Sequence, residues 1–374
     1  MILVSNPQAS YESQGAEIDR AIHRVLHSGH YIGGDEVERF EKRFANYTNN
    51  RYCVSCGSGT DAMKLAVYAL FYDKIMDSDA GIGVATVSLT SPGTLPMPYY
   101  MNFVMRGVDV DKSMTMNIES LKNIKNIDLI IPVHLYGNPV DMLAIREYAK
   151  EQKAYVIEDC CQAHGTRVGG KHVGYYGDLG VFSFYPTKNL GAIGDGGAVV
   201  TNSEELWMRM LRFRQYGWYP HVHYNSTAQT GQSRLDPIQA AILNEKLDRL
   251  DYKIEQRKII AGIYLDNINC KRFEHLDWKD GCSFHQFVIL LESREYRELF
   301  MKYLFENGID TGIHYPIPLH KQNAYKEDFF SSEDNFTNTE NYCDRIVSLP
   351  MYPEITGDEI MHVINVVNKW SETL

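Results

Sequence analysis

Residues 154–202 read AYVIEDCCQAHGTRVGGKHVGYYGDLGVFSFYPTKNLGAIGDGGAVVTN. Two short apolar runs in this stretch, Tyr155-Val156-Ile157 and Val181-Phe182-Ser183-Phe184, have the length and the β-branched or aromatic content of buried strands in an α/β sheet. Each run stops at polar residues. The first ends in Glu158-Asp159 and the second in Tyr185-Pro186-Thr187-Lys188, so a carboxylate and an amine emerge just past strand ends, where open α/β sheets bind ligands. An ion pair alone would account for one Asp and one Lys. The residues that follow say more. Gly191, Gly194, Gly196 and Gly197 precede a third apolar run, Ala198-Val199-Val200, so the backbone turns tightly there and approaches something closely.

Pyridoxal phosphate asks three things of a protein: a Lys amine for a Schiff base, an acid that keeps the pyridine nitrogen protonated, and donors for the phosphate. The stretch offers Lys188 for the first, Asp159 for the second and the Ser183 hydroxyl for the third. Its motifs are Glu158-Asp159 with Gln162-Ala163-His164-Gly165, then Phe182 through Gly191, then Gly194-Asp195-Gly196-Gly197-Ala198. Together they resemble the DegT/StrS nucleotide-sugar aminotransferases of the aspartate aminotransferase fold, also called fold type I. The resemblance covers nearly the whole chain. It implies an α/β architecture: a large cofactor domain, residues 1–250, with a mixed, mostly parallel sheet between helices, and a smaller C-terminal α/β domain, residues 251–374. It also implies a cytoplasmic homodimer with its active site at the subunit interface.

Size and composition are compatible with this. A chain of 374 residues has volume for two domains, and 44% hydrophobic with 23% charged residues is ordinary for a soluble globular protein. The net charge of −11 argues against nucleic acid as the main partner, because phosphate backbones need a basic face. The N-terminal residues MILVSNPQASYESQG carry no basic flank and no apolar run long enough for a signal peptide or a membrane span. Seven cysteines, an odd number spread along the chain, speak against a disulfide framework. Cys53 and Cys56 lack a second pair at metal spacing, so all seven are expected to be structural thiols and no metal site is expected.

Outside the central stretch, residues 13–28 and 36–47 read as helices separated by a Gly-containing turn. The short strand Cys53-Val54-Ser55 leads through Gly57-Ser58-Gly59-Thr60 into an apolar helix. Small residues at a helix start expose N–H groups at the positive end of the dipole, which places Gly59 and Thr60 on the cofactor phosphate. Residues 80–108 depart most from the resemblance. Family members carry an aromatic just after a Thr, stacked on the pyridine ring, whereas this chain reads Val87-Ser88-Leu89-Thr90-Ser91-Pro92, with no aromatic until Tyr99. Either Leu89, Ser91 or Pro92 covers the ring, or a more distant aromatic reaches in. A strand at residues 129–133 ends at His134, read as a structural histidine.

The polar loop of residues 220–232 carries His221, His223 and Tyr224. Tyr224 matches a family position that lines the sugar pocket; the two histidines match nothing. Gln232 stands where family members have an Asn that reaches the partner's cofactor phosphate. A long helix from Pro237 to about Asn267 is expected next, then a strand at 287–291, a helix at 294–307 and a strand at 309–314. Ile313-His314-Tyr315-Pro316-Ile317-Pro318-Leu319-His320 resembles the family's sugar-side loop, which puts His314 and His320 in the sugar pocket.

The resemblance implies transfer of an amino group from L-glutamate to a nucleotide-linked keto-deoxysugar, in a glycan or antigen pathway. Lys188 would be the acid and base, Gln162 the partner of the ring hydroxyl, and Tyr185 and Tyr224 contacts of the sugar or nucleotide. Asp195 in Gly-Asp-Gly-Gly favours a 3-keto sugar, with dTDP as the nucleotide. The competing readings are a 4-keto-sugar aminotransferase of the same family, in which Glu is more usual at that place, and a cofactor-bound regulatory homologue without turnover. A related sugar dehydratase would carry His in place of Lys188.

Overall fold

Among the described residues, the strands of the N-terminal two thirds are β1 (Tyr52–Cys56), β2 (Ile82–Val87), β3 (Phe103–Val108), β4 (Leu129–Ile131), β5 (Tyr155–Asp159), the short β6 (Arg167–Val168) and β7 (Lys171–His172), β8 (Leu179–Ser183) and β9 (Gly197–Thr201). Seven of them form one sheet in the order β1-β9-β8-β5-β4-β2-β3. The neighbours from β8 across to β3 are parallel, and only β9 runs against the rest. This computed structural model describes residues 1–76, 81–95, 103–219, 222, 224–269, 272–325 and 330–370.

Every residue of β2 and of β4 is buried, as parallel strands covered on both faces require. Alternation along the strands sorts their side chains into two cores. Val54, Ile157, Val181 and Val199 pack beneath the helices Gly59–Met76 and Glu204–Phe213, while Cys53, Phe182, Ala198 and Val200 pack with Phe40 and Phe44 of the helix Asp35–Tyr47 on the other face. The helix Met142–Gln152 starts where the Asp141 side chain accepts from Ala144 N and stops at Lys153 in a left-handed conformation. That stop hands the chain to β5 in parallel register with β4.

A further core lies C-terminal to this sheet. Strands β10 (Phe273–His275), β11 (Phe287–Leu291) and β12 (Ile346–Leu349) form an antiparallel sheet. Phe300, Leu304, Val363, Val367 and Trp370 of its helices bury their side chains against it, and Ile2 joins them from the N-terminus.

Two expected elements differ. The long helix is two helices, Pro237–Leu247 and Leu250–Asn267, broken at Asp248-Arg249. Both residues at the break are held by charges on other helices, Asp248 by Arg43 and Arg249 by Glu17. Residues 309–314 form no strand. Ile309 bridges to Ile2 and Gly312 to Ser348, one residue at a time, so no ladder develops. The segment instead crosses back to the large sheet, where Leu319 N donates to Ser88 O at 3.0 Å.

Candidate active site

The two carboxylates that end β5 point to opposite faces, as the period of a strand demands. Glu158 is fully buried and accepts from His134 Nε2 at 3.1 Å and from the N–H groups of Gly174 and Gly177. His134 Nδ1 accepts from Val140 N at 3.0 Å, so both ring nitrogens are used and the imidazole is structural. Cys160 comes within 4.8 Å of this pair, but the Glu158 oxygens already serve three donors.

Asp159 faces the other way, into a cavity of about 280 Å³ at the C-terminal ends of β5 and β8. Its Oδ2 accepts from the Thr94 hydroxyl at 2.6 Å and its Oδ1 from Cys161 N at 3.0 Å. The Thr94 hydroxyl also meets that of Thr90 at 2.7 Å. The carboxylate is therefore fixed in orientation, with lone pairs left for a donor in the cavity.

Lys188 enters the same cavity from the turn after β8, which closes by a 2.9 Å bond from Lys188 N to Tyr185 O. A Cβ on Gly191 would lie 2.4 Å from Pro186 O, so this turn needs glycine there. Lys188 is partly exposed, lining this cavity and also a second recess with Asn6 and Arg257. Burial pushes its amine below the usual lysine pKa, opposed by the nearby Cys161 and Asp159. An amine so placed loses its proton at a lower pH than a free lysine, as an acid–base catalyst requires.

Three imidazoles surround this amine. Burial and then the Lys188 charge push His164 and His285 well below the ordinary histidine pKa, and push His314 down to about 4. His172, beneath Gly165, is also lowered to about 4, by burial. A histidine neutral in the fold and protonated when unfolded makes stability rise with pH, here between about pH 4 and 6.5. Acidification from pH 7 to 5 is expected to cost roughly 2 kcal/mol for His172 alone. Denaturant midpoints at both pH values should fall with acidification, and less so in His172→Gln; an equal fall in the variant would show that this imidazole does not titrate on unfolding.

The helix Gly59–Met76 aims its N-terminus at the cavity. Its first N–H groups have no acceptor within the helix. Those of Asp61 and Ala62 are taken by Ser58, leaving those of Gly59 and Thr60, both in the cavity wall. A Cβ on Gly59 would come 2.6 Å from Ser183 Cβ, so a side chain would fill the cradle between the helix start and the Ser183 hydroxyl. The donor set fits a phosphate. Gln162, 7% exposed, accepts from Tyr136 N at 2.8 Å and donates to Tyr315 Oη at 3.1 Å, which fixes its amide at the cavity wall.

Lys188, Asp159, Gln162, Ser183, Gly59, Thr60 and Tyr185 thus line one cavity, joined by Asp195. Other expected residues lie elsewhere. His320 is not in the cavity wall: its ring stacks on Phe336 at 4.0 Å, and its nitrogens bond Ser88 Oγ and Glu340. These contacts tie the crossing segment to β2 and give the imidazole a structural role. His314 sits behind the wall, with Nδ1 3.0 Å from Ser348 Oγ, while its neighbour Tyr315 forms the wall. Gln232 is exposed and lines a separate recess with Asp61 and Lys64, and Tyr224 is 91% exposed beside Trp218. His221, His223 and Tyr99 lie outside the described residues.

Of the residues that might cover the ring, Leu89 is buried in the core and Pro92 is not in the wall; Ser91 is, beside the distant aromatic Tyr315, whose hydroxyl it meets. Thr90, Thr94, Cys161 and Tyr315 line the cavity without having been singled out. The first two lie just past the end of β2, where the strand-end rule would have found them. Cys161, expected as a structural thiol, is partly buried in that wall.

An amine, a fixed carboxylate and a phosphate cradle at the strand ends of this sheet define a pyridoxal phosphate-dependent transferase of the aspartate aminotransferase fold. The chain belongs to the DegT/DnrJ/EryC1/StrS aminotransferase family, whose profile matches residues 12–368. It is 40% identical over 362 residues to the dTDP-3-amino-3,6-dideoxy-alpha-D-galactopyranose transaminase of Aneurinibacillus thermoaerophilus, covering 95% of each chain. It is 35% identical to the dTDP-3-amino-3,4,6-trideoxy-alpha-D-glucose transaminase of Streptomyces venezuelae, covering 98% of this chain and 95% of that one. Among solved structures, S. venezuelae DesV in complex with a ketimine intermediate superposes with a TM-score of 0.91 at 33% identity, over 100% of this chain and 99% of that one. Among the described residues, no helix is long and apolar enough to cross a membrane.

Proposed function

We propose that this chain moves an amino group from L-glutamate to carbon 3 of a dTDP-linked 3-keto-deoxysugar, yielding an amino sugar for glycan or antigen biosynthesis. The observation that carries the reading is the convergence of Lys188, Asp159 and the Gly59–Ser183 cradle in one cavity. The names of the similar transaminases, both acting at a 3-amino position of a dTDP sugar, support the substrate class.

Pyridoxal phosphate, when bound, supplies an aldehyde that condenses with amines and a ring that withdraws electrons from the carbon beside the nitrogen. Gly59, Thr60 and Ser183 hold its phosphate end, and Asp159 holds a proton on the ring nitrogen. Gln162 meets the ring hydroxyl. Lys188 Nζ takes a proton from one carbon and returns it to another, first with glutamate and then, in reverse order, with the keto sugar. Tyr185, about half exposed at the mouth, contacts the sugar or nucleotide.

The functional unit is a cytoplasmic homodimer of two-domain subunits, divided near residue 250. Gln232 and Tyr224 fall outside the protomer's own cavity, and a second copy presents them to its neighbour's site, Gln232 toward the phosphate and Tyr224 toward the sugar. His314 acts on the sugar from behind Tyr315.

A panel of dTDP- and UDP-linked 3-keto and 4-keto sugars, incubated with the enzyme and glutamate, tests the reading. Amine formation with 2-oxoglutarate release is expected on 3-keto compounds, with dTDP preferred. Amination of 4-keto sugars alone would reassign the acceptor carbon.

A further inference from the structure

Asn189 follows Lys188 but lies outside the cavity wall, in the recess shared with Arg257. Its Nδ2 donates to His164 O at 3.2 Å and to Ser283 Oγ at 3.3 Å, and its Oδ1 lies 3.2 Å from His285 Nδ1. A carbonyl only accepts, so the nitrogen of this amide must face His164, and its oxygen must accept from His285. That makes His285 an Nδ1–H tautomer. Among the described residues, the hydrogen bonds from the Lys188 turn to the segment 283–285 all run through Asn189.

The segment it grips is itself pinned. Ser283 is fully buried and its N–H donates to Gly137 O at 3.1 Å, while His285 N donates to Tyr136 O at 2.9 Å. Arg257 Nη1 donates to the carbonyls of Phe284, His285 and Met351. The Thr166 hydroxyl donates to Gly137 O at 2.7 Å and meets Ser283 Oγ at 2.8 Å, so the Ser283 proton goes to Thr166 and its oxygen is left to accept from Asn189. A Cβ on Gly137 would lie 2.4 Å from Ser283 Oγ, so this network needs glycine there. The Lys188 amine, by contrast, makes no hydrogen bond to a described residue and depends on its turn for its place.

We propose that Asn189 is a positioning residue for Lys188: by joining the turn after β8 to the buried segment 283–285 and fixing the His285 tautomer, it holds the amine in the cavity wall. This rests on the assignment of the chemistry to Lys188 above. Burial is the main cause of the lowered pKa of that amine, and the titratable groups coupled to it are Asp159, Cys161, His164, His285 and His314, with Arg257 across the recess. Asn189→Ala removes none of them. A shift in the titration of Lys188 therefore reports a changed setting of the amine.

The full cofactor-free chain is labelled with trace acetic anhydride from about pH 6 to 11, and acetylation of Lys188 is followed by mass spectrometry. In Asn189→Ala the midpoint should rise by about one pH unit toward that of an ordinary lysine, with the far-ultraviolet spectrum unchanged. Ser283→Ala, which loosens the grip from its other end, should raise it less, and the double variant no more than Asn189→Ala alone. An unmoved midpoint in folded Asn189→Ala, or shifts that add in the double variant, would overturn the assignment. Should Asn189→Ala not fold, Ser283→Ala decides alone: a raised midpoint supports the clamp and an unmoved one removes it. A chain that takes up no pyridoxal phosphate would overturn the functional reading while leaving this titration as it is.

Discussion

Lys188→Ala is expected to lower amino transfer by on the order of 10,000-fold while leaving the fold intact. The amine lies in a cavity wall and makes no hydrogen bond to a described residue, so its removal leaves no buried partner unsatisfied. What disappears is the group that links to the aldehyde and the group that carries the proton between carbons. Single-turnover mixing with glutamate, followed by cofactor absorbance, reads the loss directly, and circular dichroism with thermal unfolding checks the fold. Turnover within tenfold of the parent would remove Lys188 from the chemistry.

Asp159→Asn should cost roughly 100- to 1,000-fold in the same half-reaction, the usual effect of deleting one preorganised electrostatic group. The amide is isosteric. Its oxygen can still accept from Cys161 N, and its nitrogen can donate to the Thr94 hydroxyl, which turns to donate to Thr90 instead. The corner therefore keeps its hydrogen bonds and loses its charge. Stability should change by no more than about 1 kcal/mol, while the ring nitrogen loses the anion that holds its proton. An Asn variant with unchanged glutamate turnover would mean that Asp159 only positions Thr94.

The residues nearest the chemistry were legible because they sit at fixed offsets from strands that the sequence announces by composition. Tyr155 to Asp159 and Leu179 to Ser183 form the strands expected there, and Asp159 and Lys188 share a cavity because both leave the same edge of the sheet. Gly59 was readable only beside Lys188 and Asp159, because small residues opening a helix are by themselves more often a plain cap.

What was not legible depends on contacts between distant segments. Nothing near His320 announces that Phe336 will stack on it or that Ser88 and Glu340 will occupy its nitrogens. At the break, Asp248 and Arg249 pair with Arg43 and Glu17, both far away in sequence and both on helices packed alongside. Tyr315 was quoted as part of a motif, but its place beside Ser91 follows only once the crossing segment is seen to return to β2.

Glu158 and Asp159 are consecutive acids of identical charge, told apart by one thing, the side of the sheet each meets. Hydrogen bonding of Ile157, Glu158 and Asp159 to Leu179, Gly180 and Val181 acts as a ruler that decides which acid meets which side. Slippage by a single residue would turn Asp159 away from the pocket and Glu158 toward it, leaving the pocket with the wrong acid. Deletions or insertions in this strand should thus be tolerated far less than in the loops that follow it, even where they spare every residue that touches a ligand.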